Sequence, residues 1–395
     1  MKSLNIAIYY ESVEEFAGGQ TKSVNRFTEK LKERGHNIIF LTTKKFAKAN
    51  GLNKWLLKFK LYRFTSSLPI GPNKYRFVIE YSPKKIRRIL VSEKIDVVYM
   101  ITPSPFSYAL MHVAKKLNIP VISHCHFQAD NFFLTNRRIP IVKGALNRYL
   151  SFFYNKSACV IFPSEFAKRK IKKSWLKSKS AVISNGVDTD HFKKLKRQEY
   201  DYIYSKYKLH SDSLNLLSVG RLSREKNIET LIKAMPEIIE NHPNVEAIIV
   251  GAGKLGNKYK KMAKKKGIKE HVRVLGEIPD KDIVPIFSTG DIFIHPSLVE
   301  LEGMVVLEAM ACGLPIVVSN SPSNASQDLI NGNGFTFTQR KNPDLAKKII
   351  YLLDHPAMIK SMSRVSRHLA KGYNIDKSVD KLESIFIKSV SSKKI

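Results

Sequence analysis

Short apolar runs of strand length alternate with helix-period stretches along most of this chain, and that alternation constrains the fold more than any other feature. Leu4–Tyr10, Asn37–Thr42, Val97–Ile101, Pro120–Ser123, Val160–Pro163 and Ala181–Ser184 are strand-like. Between the first two, Gly18–Arg34 places Val24, Phe27 and Leu31 about one turn apart and stops at Gly35, which predicts a helix. A second helix is expected around Tyr108–Leu117. The pattern restarts at Leu214–Val219 and continues through Val245–Val250, Val272–Leu275, Ile292–His295 and Pro315–Ser319. Helices are expected there at Ile228–Ile239, Lys258–Lys266 and Met304–Cys312. Strands that are apolar throughout are buried on both faces, as in a parallel sheet covered by helices on each side. A chain of 395 residues exceeds one ordinary core. The expectation is therefore an α/β protein of two doubly wound, Rossmann-like domains facing each other across a cleft, where such sheets bind ligands.

The expected boundaries are 1–190 for a basic first domain, 191–213 for a charged, aromatic linker, and 214–375 for a second domain. A last helix, roughly Asp376–Val390 within 376–395, has no strand after it and is expected to pack back on the first domain. No repeat of solenoid length is present. The start MKSLNIAIYY passes from one lysine straight into a strand, unlike a signal peptide. The uncharged run Val97–Ala114 is broken by Pro103 and Pro105 and reads as strand, loop and helix rather than a membrane span. Cys125, Cys159 and Cys312 have no paired spacing, so neither zinc nor a disulfide framework is indicated. These signs point to a cytoplasmic protein.

The strongest chemical signal is Pro296-Ser-Leu-Val-Glu300-Leu-Glu-Gly303-Met304-Val-Val-Leu-Glu308, between a strand and a helix. The helix start after Gly303 offers unpaired N–H groups and a positive dipole end. Eight helical residues span roughly 12 Å, so Glu300 and Glu308 can hold two parts of an elongated ligand but not one small group. Carboxylates suit sugar hydroxyls because they accept two directed hydrogen bonds. The plainer reading, a dipole partner and a surface glutamate, leaves a Glu among Val305–Leu307 and Ala309–Ala311 unexplained.

At this motif the chain resembles glycosyltransferase family 4, retaining enzymes of the GT-B fold, whose signature is a Glu, seven residues, and a second Glu. The resemblance extends over essentially the whole chain. Gly18-Gly19 before a helix ending Arg34-Gly35-His36 is similar to the family's N-terminal glycine loop, Pro163-Ser-Glu165 and Ser184-Asn-Gly-Val-Asp188 to the end of its first domain, and Val219-Gly-Arg221-Leu-Ser-Arg-Glu-Lys226-Asn to its diphosphate-binding stretch. The resemblance implies that Arg221 and Lys226 hold the donor diphosphate, Glu300 the sugar hydroxyls and Glu308 the ribose, with Gly19, Gly303 and Met304 beside the donor. The chemistry agrees, because cations must neutralise the departing diphosphate. No Asp-x-Asp pair stands directly at the end of a strand of the first domain, so no metal or other cofactor is expected beyond the nucleotide-sugar co-substrate.

Gly251-Ala-Gly253-Lys-Leu-Gly256 spells a dinucleotide fingerprint, but the strand after its helix ends at Leu275 without the expected acid. Gly251 and Gly253 are therefore read as a loop approaching the donor nucleotide. His124 and His126 follow Pro120–Ser123, two apart on an extended segment, so they face the same way. No further ligand supports a metal there. By resemblance His126, followed by Phe127-Gln128-Ala-Asp130-Asn131, lies near sugar and acceptor, and His124 reads as structural. No residue stands out as a catalytic nucleophile, which favours same-face attack assisted by the leaving phosphate.

Charge bears on the acceptor. Residues 1–200 hold 38 Lys+Arg against 13 Asp+Glu, and the remainder 29 against 21. Basic and aromatic residues mix at Lys54-Trp55-Leu-Leu-Lys58-Phe59-Lys60-Leu-Tyr62-Arg63-Phe64, at Arg137-Arg138, and from Lys168 to Lys179 around Trp175. Basic residues flanking Trp, Phe and Leu at helical spacing suit a helix lying in an anionic lipid surface or, more plainly, a solvated amphipathic helix covering the first domain's core. The Glu-Leu-Glu-Gly form of the motif also resembles members that glycosylate diacylglycerol. The expected activity is transfer of a hexose from a nucleotide sugar, a UDP-sugar first, to a membrane lipid at the inner leaflet. A polysaccharide, lipopolysaccharide or inositol-lipid acceptor is the alternative. A nucleic-acid binder on this fold would not place two carboxylates in its cleft, so no nucleic-acid partner is expected. An epimerase of the same architecture would need no acceptor. Oligomeric state is unspecified.

Overall fold

The computed structural model describes residues 3–11, 19–43, 54–67, 77–126, 140–171 and 174–392. Of the residues singled out above, Gly18, Phe127, Gln128, Asp130, Asn131, Arg137 and Arg138 lie outside that set. The chain divides into two units. The first takes the described residues up to Asn185 together with those from Ile375 onward, and the second is Gly186–Asn374.

The first unit is built on β1 (Asn5–Tyr9), β2 (Asn37–Thr43), β3 (Lys60–Phe64), β4 (Val97–Met100), β5 (Val121–His124), β6 (Cys159–Phe162) and β7 (Ser180–Val182). They form one sheet in the order β3-β2-β1-β4-β5-β6-β7, and every neighbouring pair is parallel. The second unit repeats the plan with β8 (Leu214–Val219), β9 (Val245–Val250), β10 (Val272–Gly276), β11 (Ile292–His295), β13 (Ile316–Ser319) and β15 (Gly334–Phe337), in the order β10-β9-β8-β11-β13-β15. A small ladder, β12 (Val299–Glu300) with β14 (Ser323–Asn324), stands apart from it. The two doubly wound α/β units are the fold class expected from the alternation.

The period of two along each strand divides the second unit's core in two. Leu216, Ile292, Ile294 and Val317 pack with the helices Glu229–Asn241 and Asn342–Leu353. Their neighbours Leu217, Phe293, Ile316 and Val318 enter another core with the helices Ile283–Thr289 and Met304–Ala311. Both sheet faces are covered, which explains strands with no polar alternation. In the first unit, the helix Ile375–Ser391 contributes Ile375, Val379, Leu382 and Phe386 to the core built on Ile6, Ile8 and Tyr99. The Phe386 ring meets Tyr99 edge-on at 5.3 Å. Each fully buried side chain of this size stabilises the fold by about 2 kcal/mol.

Two expectations need correction. Residues 191–213 are not a linker. They form the short helices Arg197–Tyr200 and Tyr202–Tyr207, and bury Phe192, Tyr200, Ile203, Tyr204 and Leu209 in the second unit. The buried Asp282 fastens them: its carboxylate accepts from the Tyr202 hydroxyl at 3.0 Å, and from Lys206 and the Tyr207 hydroxyl at 2.5 Å. Tyrosines that look like linker residues in sequence thus supply both apolar rings and polar ends.

Nor is the basic, aromatic stretch from Lys54 an amphipathic helix. Lys54–Lys58 is a single 3₁₀ turn, and Lys60–Phe64 is the edge strand of the first sheet. Trp55 packs edge-on against Phe40 at 5.7 Å, and Phe59 is buried beside it. Lys58 and Lys60 pair with Glu29 at 3.0 Å and Glu93 at 2.6 Å. Phe59 is thus part of the core, and the half-buried Trp55 packs against its edge.

Candidate active site

In a doubly wound sheet the loops diverge where strand order reverses, and that opening accepts ligands. In the second unit this point lies between β8 and β11. The loop leaving β8 carries Arg221 and Lys226; the segment leaving β11 carries Glu300 and then the helix Met304–Ala311. Backbone and side-chain bonds knit the two together. Leu298 N–H donates to the Glu225 carbonyl at 2.7 Å, and Asn227 Nδ2 to the Pro296 carbonyl at 3.3 Å. The fully buried Asn324 adds Nδ2 bonds to the carbonyls of Ser297 at 3.0 Å and Ser319 at 2.9 Å.

This scaffold brings Lys226 and Glu300 into contact, with Lys226 Nζ donating to Glu300 Oε1. His295, the last residue of β11, donates from Nε2 to the same oxygen at 2.8 Å. The lysine and the imidazole together hold the Glu300 carboxyl well below the ordinary carboxylate range, against the opposing effect of burial. Burial in turn keeps the His295 imidazole below its usual pKa, although Glu300 pulls it up. The group is thus a carboxylate, an ammonium and a neutral histidine. No motif singled out His295; the signal available was a histidine ending a central strand at its carboxyl end.

Arg221 is more solvent-exposed, and its guanidinium lies 3.3 Å from Glu225. The helix Met304–Ala311 opens after Gly303 at φ +93°, where a Cβ would stand 2.2 Å from Ser326 Oγ. Met304 is its first residue. Glu308 follows about 6 Å further along the axis. It is buried among the residues of the helix-covered core, only 7% exposed. At that depth Glu308 is not the surface glutamate of the plainer reading.

The glycine loop has a different basis from the one its letters suggest. A Cβ on Gly251 would stand 1.9 Å from the Gly220 carbonyl oxygen, and one on Gly253 2.3 Å from that of Leu222. Both glycines have positive φ, +139° and +158°. They are required so that the loops after β8 and β9 can touch backbone to backbone, locked by Leu222 N–H to the Ala252 carbonyl at 2.8 Å. Beside them lies a small cavity of about 280 Å³, lined by Leu222, Gly251–Gly253, Lys254, Asn257 and Val274 among others.

In the first unit, Gly19 is exposed and begins the helix Gly19–Glu33. His124 ends β5, and its Nδ1 shares a hydrogen bond with the buried Tyr99 hydroxyl. His126 stacks on it with ring centroids 4.0 Å apart. Burial pushes His126 down to about 3 and His124 well below its usual value, the latter helped by His126, so both rings are neutral. Among the described residues no three His, Cys, Asp or Glu side chains are grouped to hold a metal ion.

Comparison with known proteins matches the sequence to a family. The sequence model of Glycosyltransferase Family 4 matches residues 17–191, and that of glycosyl transferases group 1 matches residues 202–369. The chain belongs to glycosyltransferase family 4. This glycosyltransferase is 25% identical, over 89% of its length and 78% of the relative's, to an alpha-monoglucosyldiacylglycerol synthase of Streptococcus pneumoniae. A protein of the same name from Acholeplasma laidlawii is 23% identical over 97% of both chains. The phosphatidylinositol N-acetylglucosaminyltransferase GPI3 subunit of Saccharomyces cerevisiae is 24% identical over 80% of this chain and 68% of its own. Among solved structures, a glycosyltransferase from Rickettsia africae superposes with a TM-score of 0.81 at 20% identity, covering 99% of both chains. Anabaena Alr3699/HepE in complex with UDP-glucose superposes with 0.75 at 18% identity, covering 98% of this chain and all of the other.

Proposed function

We propose that this glycosyltransferase is a retaining enzyme that transfers a hexose from a UDP-sugar to a hydroxyl of a membrane lipid, diacylglycerol in the first instance. The observation that carries the reading is the Lys226–Glu300 pair at the switch point, directly before the helix that starts at Met304. A cation for phosphate and a carboxylate for sugar hydroxyls stand side by side, as a nucleotide sugar requires. Lys226, with Arg221 swinging in from its exposed position, neutralises the diphosphate; Glu300 holds the sugar and Glu308 the ribose. Gly303 and Met304 present the helix N-terminus to the donor, and Gly251 and Gly253 shape the wall beside the nucleotide. On this reading no metal is needed, and transfer is insensitive to chelators.

Glu300 itself is a poor nucleophile, because its negative charge is already committed to Lys226 and His295. The acceptor hydroxyl then attacks the anomeric carbon on the face the diphosphate leaves, and its proton passes to a departing phosphate oxygen. In the first unit, His126 offers a neutral imidazole for a hydroxyl of sugar or acceptor, and Gly19 lets the backbone approach the donor. The named activities of the diacylglycerol relatives support a lipid acceptor, and the UDP-glucose complex of the Anabaena protein supports the donor. The yeast relative favours an inositol lipid as the second acceptor to test.

A docking surface supports the lipid reading. The helix Pro83–Ser92 buries Ile86, Ile89 and Leu90 and turns Lys84, Arg87, Arg88 and Val91 outward as one stripe. Just before it, Phe77, Ile79 and Tyr81 are exposed, Tyr81 to 68%. Apolar tips beside a basic stripe fit an anionic leaflet, which supports a peripheral position on the inner face of the membrane. Among the described residues no helix is long and apolar enough to cross one. The test is a panel of UDP-, GDP- and ADP-hexoses against diacylglycerol, phosphatidylinositol and soluble saccharides, with the product anomer read by NMR. Inverted product, or transfer to soluble saccharides alone, overturns the corresponding part of the proposal.

A further inference from the structure

We propose that His295 is a positioning residue that keeps the Glu300 carboxylate aimed at the transferred sugar while the donor draws Lys226 onto its phosphates. This inference rests on the reading above, in which Glu300 holds the sugar and Lys226 the diphosphate.

The geometry behind it is specific. Both hydrogen bonds to Glu300 fall on Oε1, one from Lys226 and one from His295, and no described residue bonds Oε2. Oε2 is therefore the oxygen left for a sugar hydroxyl. A carboxylate only accepts hydrogen bonds, so Nε2 of His295 carries the hydrogen, and the neutral ring has that one tautomer to offer.

The two anchors differ in what else they can do. Lys226 is a flexible point charge, and a diphosphate beside it competes with Glu300 for its ammonium group. When Lys226 moves toward the diphosphate, Glu300 loses one of its two restraints. His295 has no such competitor. It is only 3% exposed, ends the central strand β11, and stacks nearly parallel to Phe293 at 16°. Glu300 is tied down as well, paired through β12 to Asn324. The imidazole, being uncharged, holds the carboxylate in place without attracting the phosphates itself. Orienting Glu300 also fixes which hydroxyls of the hexose it can accept, so His295 bears on the choice of sugar.

The experiment compares full-length wild type with His295→Leu, His295→Gln, His295→Asn and Glu300→Gln. Gln places an N–H near the position of Nε2, whereas Asn falls short of it. The readouts are kcat and KM with the UDP-hexose that the wild type uses, the kcat/KM ratio between UDP-glucose and UDP-galactose, UDP affinity by calorimetry, and thermal melting. Loss of one hydrogen bond to a charged group predicts that His295→Leu lowers kcat roughly ten- to a hundredfold. UDP affinity stays unchanged, discrimination between the two hexoses narrows, and His295→Gln recovers most of both. If His295→Leu does not fold, Gln against Asn decides, with Asn impaired and Gln near wild type. Wild-type turnover in His295→Leu beside an impaired Glu300→Gln overturns the inference alone. So does equal impairment of Gln and Asn at unchanged melting temperature. Wild-type turnover in Glu300→Gln instead overturns the assignment of Glu300, and this inference with it.

Discussion

Nε2 of His36 lies 3.1 Å from Oε1 of Glu383, and both side chains are buried although 347 positions of sequence separate them. The backbone N–H of Leu4 donates to Nδ1 of the same ring at 3.1 Å, so Nε2 carries the hydrogen and donates to Glu383. The other Glu383 oxygen accepts from Arg34 at 2.7 Å. Arg34 also reaches Asp380 at 2.7 Å, and Lys30 reaches Asp376 at 3.3 Å. One buried carboxylate thus fixes the last helix to the start of the chain.

Glu383→Ala is expected to destabilise the first unit by about 2 kcal/mol, because it leaves the buried His36 imidazole without its acceptor and takes one of the carboxylates from the half-buried Arg34 guanidinium. The chain's two tryptophans, Trp55 and Trp175, both belong to that unit, so urea unfolding followed by tryptophan fluorescence reports on it. An unchanged midpoint would mean that apolar packing alone holds the helix.

The stacked histidines give the same unit a dependence on acid. Burial lowers the pKa of His124 and His126 below the 6.5 of a free imidazole, so the unfolded chain binds protons that the native unit refuses. Stability is complete above about pH 6.5 and falls as the pH drops, by up to about 1.4 kcal/mol per pH unit for each ring. For His126 the loss continues down to about pH 3. Urea midpoints at pH 7.0 and 5.5 should differ clearly in the wild type and much less in a His124→Phe, His126→Phe double variant. Equal wild-type midpoints would place both rings in contact with water.

Gly251→Ala should cost about 3 kcal/mol or more, since its Cβ meets a carbonyl oxygen at 1.9 Å with no flexible side chain to give way. Gly35→Ala meets open space and carries only the strain of a positive φ, about 1 kcal/mol. Thermal melts of the two variants separate backbone contact from backbone conformation. Equal shifts would remove the case that Gly251 serves loop packing.

Replacing Lys84, Arg87 and Arg88 by Gln should release the enzyme from vesicles containing acidic lipid, with each lost charge worth about 1 kcal/mol at low salt. Changing Phe77, Ile79 and Tyr81 to Ser should weaken the binding that persists at high salt. Lys58→Gln and Trp55→Ser should leave binding unaltered, because those side chains are engaged with Glu29 and Phe40. Sedimentation with neutral and acidic vesicles checks all three. Release by the Lys58 and Trp55 changes would return docking to that segment.

Much of this structure was legible in the letters, for a physical reason. Strands such as β4, β6 and β11 are buried on both faces, so their sequences are apolar but for an end residue. The edge strand β3 has one free side, and its Lys-Leu-Tyr-Arg-Phe mixes charge and rings so that strand and helix periods compete. The linker reading failed because tyrosine serves both surface and core. In the candidate site, Glu300 and Glu308 stood out by type and spacing, whereas His295 meets Glu300 through a hydrogen bond formed only after the chain turns at Pro296. The glycines announced a close approach but not to what. Letters record the absence of a Cβ, and a carbonyl of the same chain demands that absence as strictly as a phosphate does.

Among the described residues the second unit is continuous in sequence, but the first is interrupted by it and completed only by Ile375–Ser391. A ribosome therefore releases everything the second unit needs before it makes the helix that closes the first. Until Ile375, Val379, Leu382 and Phe386 emerge, the partly made sheet carries an uncovered apolar face. During that interval the nascent first half is open to chaperones and to misassociation, while the later-made half is already free to fold.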